Sequence, residues 1–282
     1  MATASGKLID QVINQIEHLP TLPQVVTNLL AMTESPNVDA VKLSKAMDQS
    51  LAAKVLKMAN SAFYGKRKVN SIPHGIVIIG FDAVKEIILT TSLFHTFHEA
   101  QDVQALQPLW QHSLECAVIA KRLAWIYRYE TLDEAYFAGL IHDIGKVIIQ
   151  QYFPDAHQQI EKIMEGGVEN LEAEKKILGI THAEIGGKMA HRWDFPPPLV
   201  DAITHHHDQN WQINPKLGRI LHYADLFVLG SIDLTHLLSA FSQAGMAQPA
   251  LWDESDMAQV EEILRGEIEK AQSMFSVSGD LR

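Results

Sequence analysis

The stretch Phe137-Ala-Gly-Leu-Ile-His-Asp-Ile-Gly-Lys146-Val-Ile-Ile149 sets a histidine and an aspartate side by side in otherwise apolar sequence. Burying two polar, titratable groups in such surroundings is costly unless something pairs with them. A divalent metal ion is an economical partner, because it accepts imidazole nitrogen and carboxylate oxygen together. The dipeptide alone carries little weight. It gains force from residues of the same kinds in separate segments: His112 in Trp110-Gln-His-Ser-Leu-Glu-Cys116, His182 in Thr181-His-Ala-Glu184, the run His205-His-His-Asp208, and Asp225 in Ile220-Leu-His-Tyr-Ala-Asp-Leu-Phe-Val228.

Outward from that stretch the pattern is helical. Leu8, Val12, Ile13 and Ile16 fall on one face of residues 7–17. Apolar spacing predicts further helices at about 23–33, 39–47, 51–59 and 72–98, then at about 103–128, 132–151, 155–166, 169–178, 182–192, 196–206, 215–230 and 254–273. Gly80 interrupts the segment 72–98 and leaves room for two helices there. The short run Ile76-Val-Ile-Ile79 reads as helix, since no partner strand is visible nearby. Thr181 and Glu184 have the spacing of a capping box, and Pro196-Pro-Pro198 suits a helix start. Residues 234–253 give the weakest pattern and read as partly loop. The expectation is an all-α protein. Residues 1–102 would form an N-terminal helical lobe, 103–232 a metal-site lobe, and 233–282 an acidic helical extension. A helical bundle can aim side chains from several helices at one point, which is how bundles build metal sites.

The bulk numbers bound the function. With 282 residues, 47% hydrophobic and 20% charged, the chain is an ordinary globular one. No apolar run approaches the roughly 18–20 residues that span a bilayer, and the N-terminal segment lacks the apolar core of a signal peptide. The single cysteine, Cys116, excludes an internal disulfide and fits a reducing cytoplasm. A net charge of −11 argues against a nucleic-acid-coating protein. The charge is uneven. Residues 40–70 carry Lys42, Lys45, Lys54, Lys57, Lys66, Arg67 and Lys68 against Asp48 alone, while residues 233–282 carry nine acids against three bases. The former is either a solvated face or a basic surface for an anionic ligand or partner.

A histidine, an adjacent His-Asp pair and a distant aspartate, here His112, His142-Asp143 and Asp225, resemble the pattern of the HD superfamily of metal-dependent phosphohydrolases. The segments before it sharpen the likeness. Leu19-Pro-Thr-Leu-Pro23, Asp48 through Gly65 with Asn60-Ser61, and Ile72 through Phe81 look like the HDOD family, signalling output domains related to those hydrolases. The similarity spans about residues 12–230. It implies an HD-type helical domain with an N-terminal helical lobe, a bacterial origin, and a role in signal transduction. Many HDOD domains lack the metal-site residues; this chain keeps His112, His142, Asp143, Lys146 and Asp225. His182, His205 and His206 resemble the additional histidines of the HD-GYP phosphodiesterases. Their Gly-Tyr-Pro signature is replaced by His207-Asp-Gln-Asn-Trp211, so their cyclic di-GMP substrate is not carried over.

The resemblance implies a divalent centre of one or two ions. His112, His142, Asp143 and Asp225 would hold the first ion. Asp143 would bridge to a second held by His182 and by His205 or His206. The mixed imidazole and carboxylate set suits iron, manganese or zinc better than calcium. Lys146 would contact a substrate phosphate, or is simply a solvated lysine. Cys116 reads as a buried, inert thiol, since no thiolate-stabilising setting is evident. Three functions compete. The first is a signalling module that binds a partner protein or a nucleotide-type ligand, with a homodimer left open. The second is a working phosphohydrolase for a nucleotide or cyclic nucleotide. The third, a DNA-binding regulator, is disfavoured by the acidic charge.

Overall fold

The computed structural model of the chain describes residues 12, 14, 39–61, 63–64, 68–96, 105–208, 210–243 and 254–278. Among these, all regular structure is helical. The helix expected over 23–33, and most of 7–17, lie outside the described residues. Packing divides the chain into two compact units: Gln104–Ile268 with Met1–Leu19, and Pro20–Val103 with Glu269–Arg282.

The second of these units contains α1 (Ala40–Ala46), α2 (Gln49–Ala59) and α3 (Ile72–Thr96). Asp39 and Asp48 start the first two helices. Their side chains accept the otherwise orphaned backbone N–H groups of Lys42 and Leu51. α3 is two helices joined across a kink at Gly80, whose φ of 84° is open to glycine and strained for other residues. Leu43, Val55, Met58, Ile76, Val84 and Ile88 form the core of this unit. Asn60 ends α2 and closes the loop that follows. Its Oδ1 accepts the Val69 N–H at 2.8 Å, and its Nδ2 donates to the carbonyls of Val69 and Leu56 at 2.9 and 2.8 Å. The described lysines of this region differ in exposure. Lys42, Lys45, Lys57 and Lys68 are exposed, whereas Lys54 is buried near Thr91, and burial lowers its pKa.

The other unit runs through α4 (Gln107–Ile126), α5 (Leu132–Ile141), α6 (Ile144–Tyr152), α7 (Pro154–Glu165), α8 (Asn170–Leu178), α9 (His182–Arg192), α10 (Pro197–Thr204), α11 (Pro215–Val228) and α12 (Leu234–Gln243), and takes in the first part of α13 (Glu254–Ser278). α4 packs most extensively, against α5 and α11, and its residues Leu114, Ala117, Ile119, Ala120 and Leu123 are fully buried. α9 lies against α6 and α10. Thr181 and Glu184 form the capping box that opens α9. Within the weak stretch 234–253, Leu234–Gln243 is helix, and 244–253 lies outside the described residues. α12 buries Leu237 and Phe241, the latter stacked on Tyr127 at 4.0 Å between ring centroids.

One expected element is corrected. Residues 132–151 are two helices, and the chain turns between them at His142-Asp143. The turn lets each half press on a different neighbour. On α5, a Cβ at Gly139 would stand 2.6 Å from the Cα of Ala117 on α4. On α6, a Cβ at Gly145 would stand 2.0 Å from the carbonyl oxygen of His182 at the start of α9. Only glycine permits either approach.

Candidate metal centre

Five segments of one unit deliver the site. α4 presents His112 and Cys116, one turn apart and therefore on one face. The turn between α5 and α6 presents His142 and Asp143. The first residue of α9 is His182. The turn after α10 carries His206 and His207, and α11 carries Asp225. His142, Asp143, His182, His206 and Asp225 are all buried, at 0 to 2% exposure, in a region of otherwise apolar packing.

The side chains converge on two adjoining groups. In the first, His112 Nε2 lies 3.0 Å from Asp225 Oδ1, His142 Nε2 lies 3.7 Å from the same oxygen, and Cys116 Sγ lies 3.5 Å from His112 Nε2. In the second, Asp143 Oδ1 lies 3.3 Å from His182 Nε2 and 3.8 Å from His206 Nε2, and His182 and His207 meet through their Nε2 atoms at 2.9 Å. Within each group the candidate ligand atoms all fall within 4.8 Å of one another. Asp143 joins the two. Its Oδ2 is 3.5 Å from His142 Nε2 and 3.7 Å from His112 Nε2, and it accepts a hydrogen bond from Lys146 Nζ at 2.7 Å.

The imidazoles are held by their far nitrogens. His142 Nδ1 donates to the carbonyl of Gly139 at 2.8 Å, and His206 Nδ1 to that of Ile203 at 2.7 Å. His182 Nδ1 is held by Glu174 at 2.8 Å. Each bond places the Nδ1 proton and leaves the Nε2 lone pair facing inward, the arrangement of a metal-binding histidine with its supporting partner. His142 Nε2, His206 Nε2 and Asp143 Oδ1 are then buried with no aligned hydrogen-bond partner. Buried polar atoms are nearly always paired, so these three, one in the first group and two in the second, fit a cation as the missing partner in each.

The electrostatics agree. Burial works against a charge on His142, but the Asp143 and Asp225 carboxylates outweigh it and raise its pKa above the usual imidazole value. Burial of His182 is likewise outweighed by Asp143 and Glu174. Burial would raise the Asp143 pKa, yet Lys146 and His142 hold it well below the usual carboxylate range. Asp225 is also held low, its burial countered by the neighbouring His112 and His142 imidazoles. His206 has the opposite balance: burial, reinforced by the neighbouring imidazoles, keeps its pKa well below 6.5. Burial and His182 push His207 down to about 4. The centre thus holds ionised carboxylates and neutral His206 and His207 imidazoles, with protons drawn onto His142 and His182 where a cation would otherwise balance the charge.

Of the residues expected from sequence, the structure brings together His112, His142, Asp143, His182, His206 and Asp225. Lys146 is drawn onto Asp143 and is not simply a solvated lysine. His205 is the correction. Its ring turns outward, its Nδ1 lies 3.0 Å from Asp208, and it belongs to neither group. His207 takes the place expected of it. The three histidines sit in a turn beyond the last residue of α10, where helical spacing no longer decides which of them faces inward. Glu174 also escaped the sequence reading. It lies eight residues before His182 in a polar helix, and the turn after α8, through Gly179 in the left-handed conformation, brings the two together.

Buried histidines and aspartates from the helices and turns of one bundle thus form two groups that could hold a metal ion. Residues 19–209 match the HDOD domain family, and the chain belongs to that family. An uncharacterized protein of Treponema pallidum (strain Nichols) is 25% identical over 212 residues, which cover 73% of this chain but only 41% of that protein. The chain thus spans about two fifths of the length of that relative. Among solved structures, the fold is similar to an HDOD domain protein of unknown function from Geobacter sulfurreducens, with 24% identity, a TM-score of 0.76, and coverage of 96% of this chain and 97% of that one. It is similar also to a protein from Shewanella amazonensis SB2B assigned provisionally as a phosphohydrolase, with 23% identity, a TM-score of 0.75, and coverage of 95% and 97%.

Proposed function

We propose that this chain is a bacterial, cytoplasmic HDOD signalling protein that binds divalent metal in two adjoining positions bridged by Asp143. The observation that carries the reading is the set of three buried, unpartnered atoms, His142 Nε2, His206 Nε2 and Asp143 Oδ1, with Nδ1 of both histidines already committed to carbonyls. His112, His142 and Asp225 would hold one ion, and His182, His206 and His207 the other. An ion there would supply Lewis acidity and an activated water for phosphoryl chemistry. Lys146 and Glu174 keep the carboxylate and imidazole they touch in place. The regulatory role follows the family's character, with a signalling protein or a nucleotide-type ligand as partner.

A second reading, hydrolysis of a nucleotide phosphodiester, is favoured by one observation. Lys146 and Glu174, both in contact with the centre, also line an open cavity of about 380 Å³ whose walls include Leu109, His157, Met164 and Asn170. A ligand there would lie beside the centre.

The test is metal content by plasma mass spectrometry on protein purified without chelator or nickel resin, alongside Asp143→Ala. One to two equivalents of iron, manganese or zinc, lost in the variant, support the centre. No metal in either sample, even after reconstitution, sinks it. A nucleotide phosphodiester panel on the loaded protein, with His142→Ala as control, separates the regulatory reading from the hydrolytic one.

A further inference from the structure

The geometry points to Cys116 as a metal ligand. We propose that its thiolate joins His112, His142 and Asp225 in a sulfur-containing position that selects zinc, iron(II) or cobalt(II) over manganese and magnesium. The inference rests on the metal-centre reading above and adds to it a ligand and a metal preference.

Cys116 is fully buried, and its sulfur lies 3.5 Å from His112 Nε2. Sulfur and nitrogen ligands on one tetrahedral ion, with bonds of about 2.3 and 2.1 Å, stand about 3.6 Å apart. A hydrogen bond from the thiol to His112 Nε2 would compete with one from that nitrogen to Asp225. His112 Nε2 is also 3.0 Å from Asp225 Oδ1. If that nitrogen carries a proton and donates it to the carboxylate, it has no lone pair to accept from the thiol. If it accepts from the thiol, its lone pair faces the carboxylate oxygen with no proton between them. A cation removes the conflict, because nitrogen, oxygen and sulfur then all donate lone pairs to it.

Two further observations point the same way. His142 Nε2 is wholly buried, lacks a partner, and faces the same group from a different element. Asp143 Oδ2 reaches the same group, 3.5 Å from His142 Nε2, and Cys116 adds a sulfur donor beside His112, His142 and Asp225. On binding, the thiol gives its proton to solvent and the sulfur keeps its electron pair for the metal. A soft thiolate favours zinc, iron(II) and cobalt(II), whereas manganese and magnesium prefer oxygen.

The experiment is cobalt(II) loading of the full chain and of Cys116→Ser, read by absorption spectroscopy and by retained cobalt. Cys116 is the only cysteine, so a near-ultraviolet thiolate-to-cobalt charge-transfer band in the unaltered protein identifies it directly, whether or not the variant folds. The expected result is that band in the unaltered protein and its absence in Cys116→Ser. In a folded variant, zinc affinity should fall about tenfold or more while manganese affinity changes less than about threefold. Cobalt retained without the band overturns the role of Cys116 and leaves the centre standing. No cobalt retained by the unaltered protein overturns both.

Discussion

Glu174 accepts the backbone N–H of His182 at 2.7 Å and also holds its Nδ1 at 2.8 Å, so one buried carboxylate fixes both the start of α9 and the direction of a candidate ligand. Replacing it with glutamine keeps the volume but weakens both bonds and removes the charge that supports the imidazole. Glu174→Gln should lower affinity for the second ion by about 10–100-fold, the usual cost of losing such a supporting partner. Competition with a chelator dye measures it. Unchanged affinity in a folded Glu174→Gln protein would make Glu174 merely structural.

The histidine triplet gives a sharp comparison. His207 Nε2 meets His182 Nε2 at 2.9 Å, while His205 is paired with Asp208 at the surface. His207→Ala should lose about one equivalent of bound metal, whereas His205→Ala should keep the full complement. Equal losses in the two variants would mean that the turn after α10 adopts another arrangement in solution.

Gly145 ties the fold to the site. The carbonyl oxygen of His182 occupies the space where a Cβ would be, only 2.0 Å away, and that oxygen belongs to backbone. Gly145→Ala must push α6 from α9 and carry Asp143 away from His182. A loss of about 2–3 kcal/mol in denaturant unfolding is expected, within the range for overpacking a core contact, together with weaker metal retention. An alanine variant with unaltered stability would contradict the close approach.

Acid stability tests the capping box. Burial alone would raise the Glu184 pKa, but Lys175 and the Thr181 N–H lower it below the ordinary carboxylate value. A depressed folded value means that the unfolded chain binds the proton more readily. The contribution of Glu184 is therefore complete above the unfolded pKa of about 4.3 and is lost as pH falls through the folded value. Glu184→Gln should melt below the unaltered protein near neutral pH, and the gap should close on acidification. A gap that widens in acid would reverse the sign and refute the assignment.

Asn60 is a test away from the metal. It bonds to both the N–H and the carbonyl of Val69 and so staples the loop after α2. Asn60→Ala should cost about 1–3 kcal/mol, as backbone groups lose their partners, and should leave bound metal unchanged. Chemical denaturation and metal content read the two arms separately.

Much of the molecule is legible in the chain itself. The helix class follows from apolar spacing, because a helix buries one stripe whatever it packs on. The start of α9 follows from Thr181 and Glu184, because capping is chemistry among residues three apart. The interruption at Gly80 is visible for the same local reason. The grouping of His142-Asp143 with His112, His182, Asp225 and one of His205 and His206 is what the resemblance to the HD and HD-GYP families implies, and titratable groups in apolar segments agree with it.

What only the tertiary structure decided depends on contacts between residues far apart in the chain. The break of 132–151 at His142-Asp143 comes from α4 and α9 pulling the two halves in different directions through Gly139 and Gly145. The exchange of His205 for His207 comes from the path of a turn, where no periodicity applies. Glu174 shows no local sign of its place, because its meaning lies in the distance to His182. Local energetics specify which segments coil and where they begin. The packing of those helices, a property of the whole core, specifies which polar atoms are left facing one another without a partner.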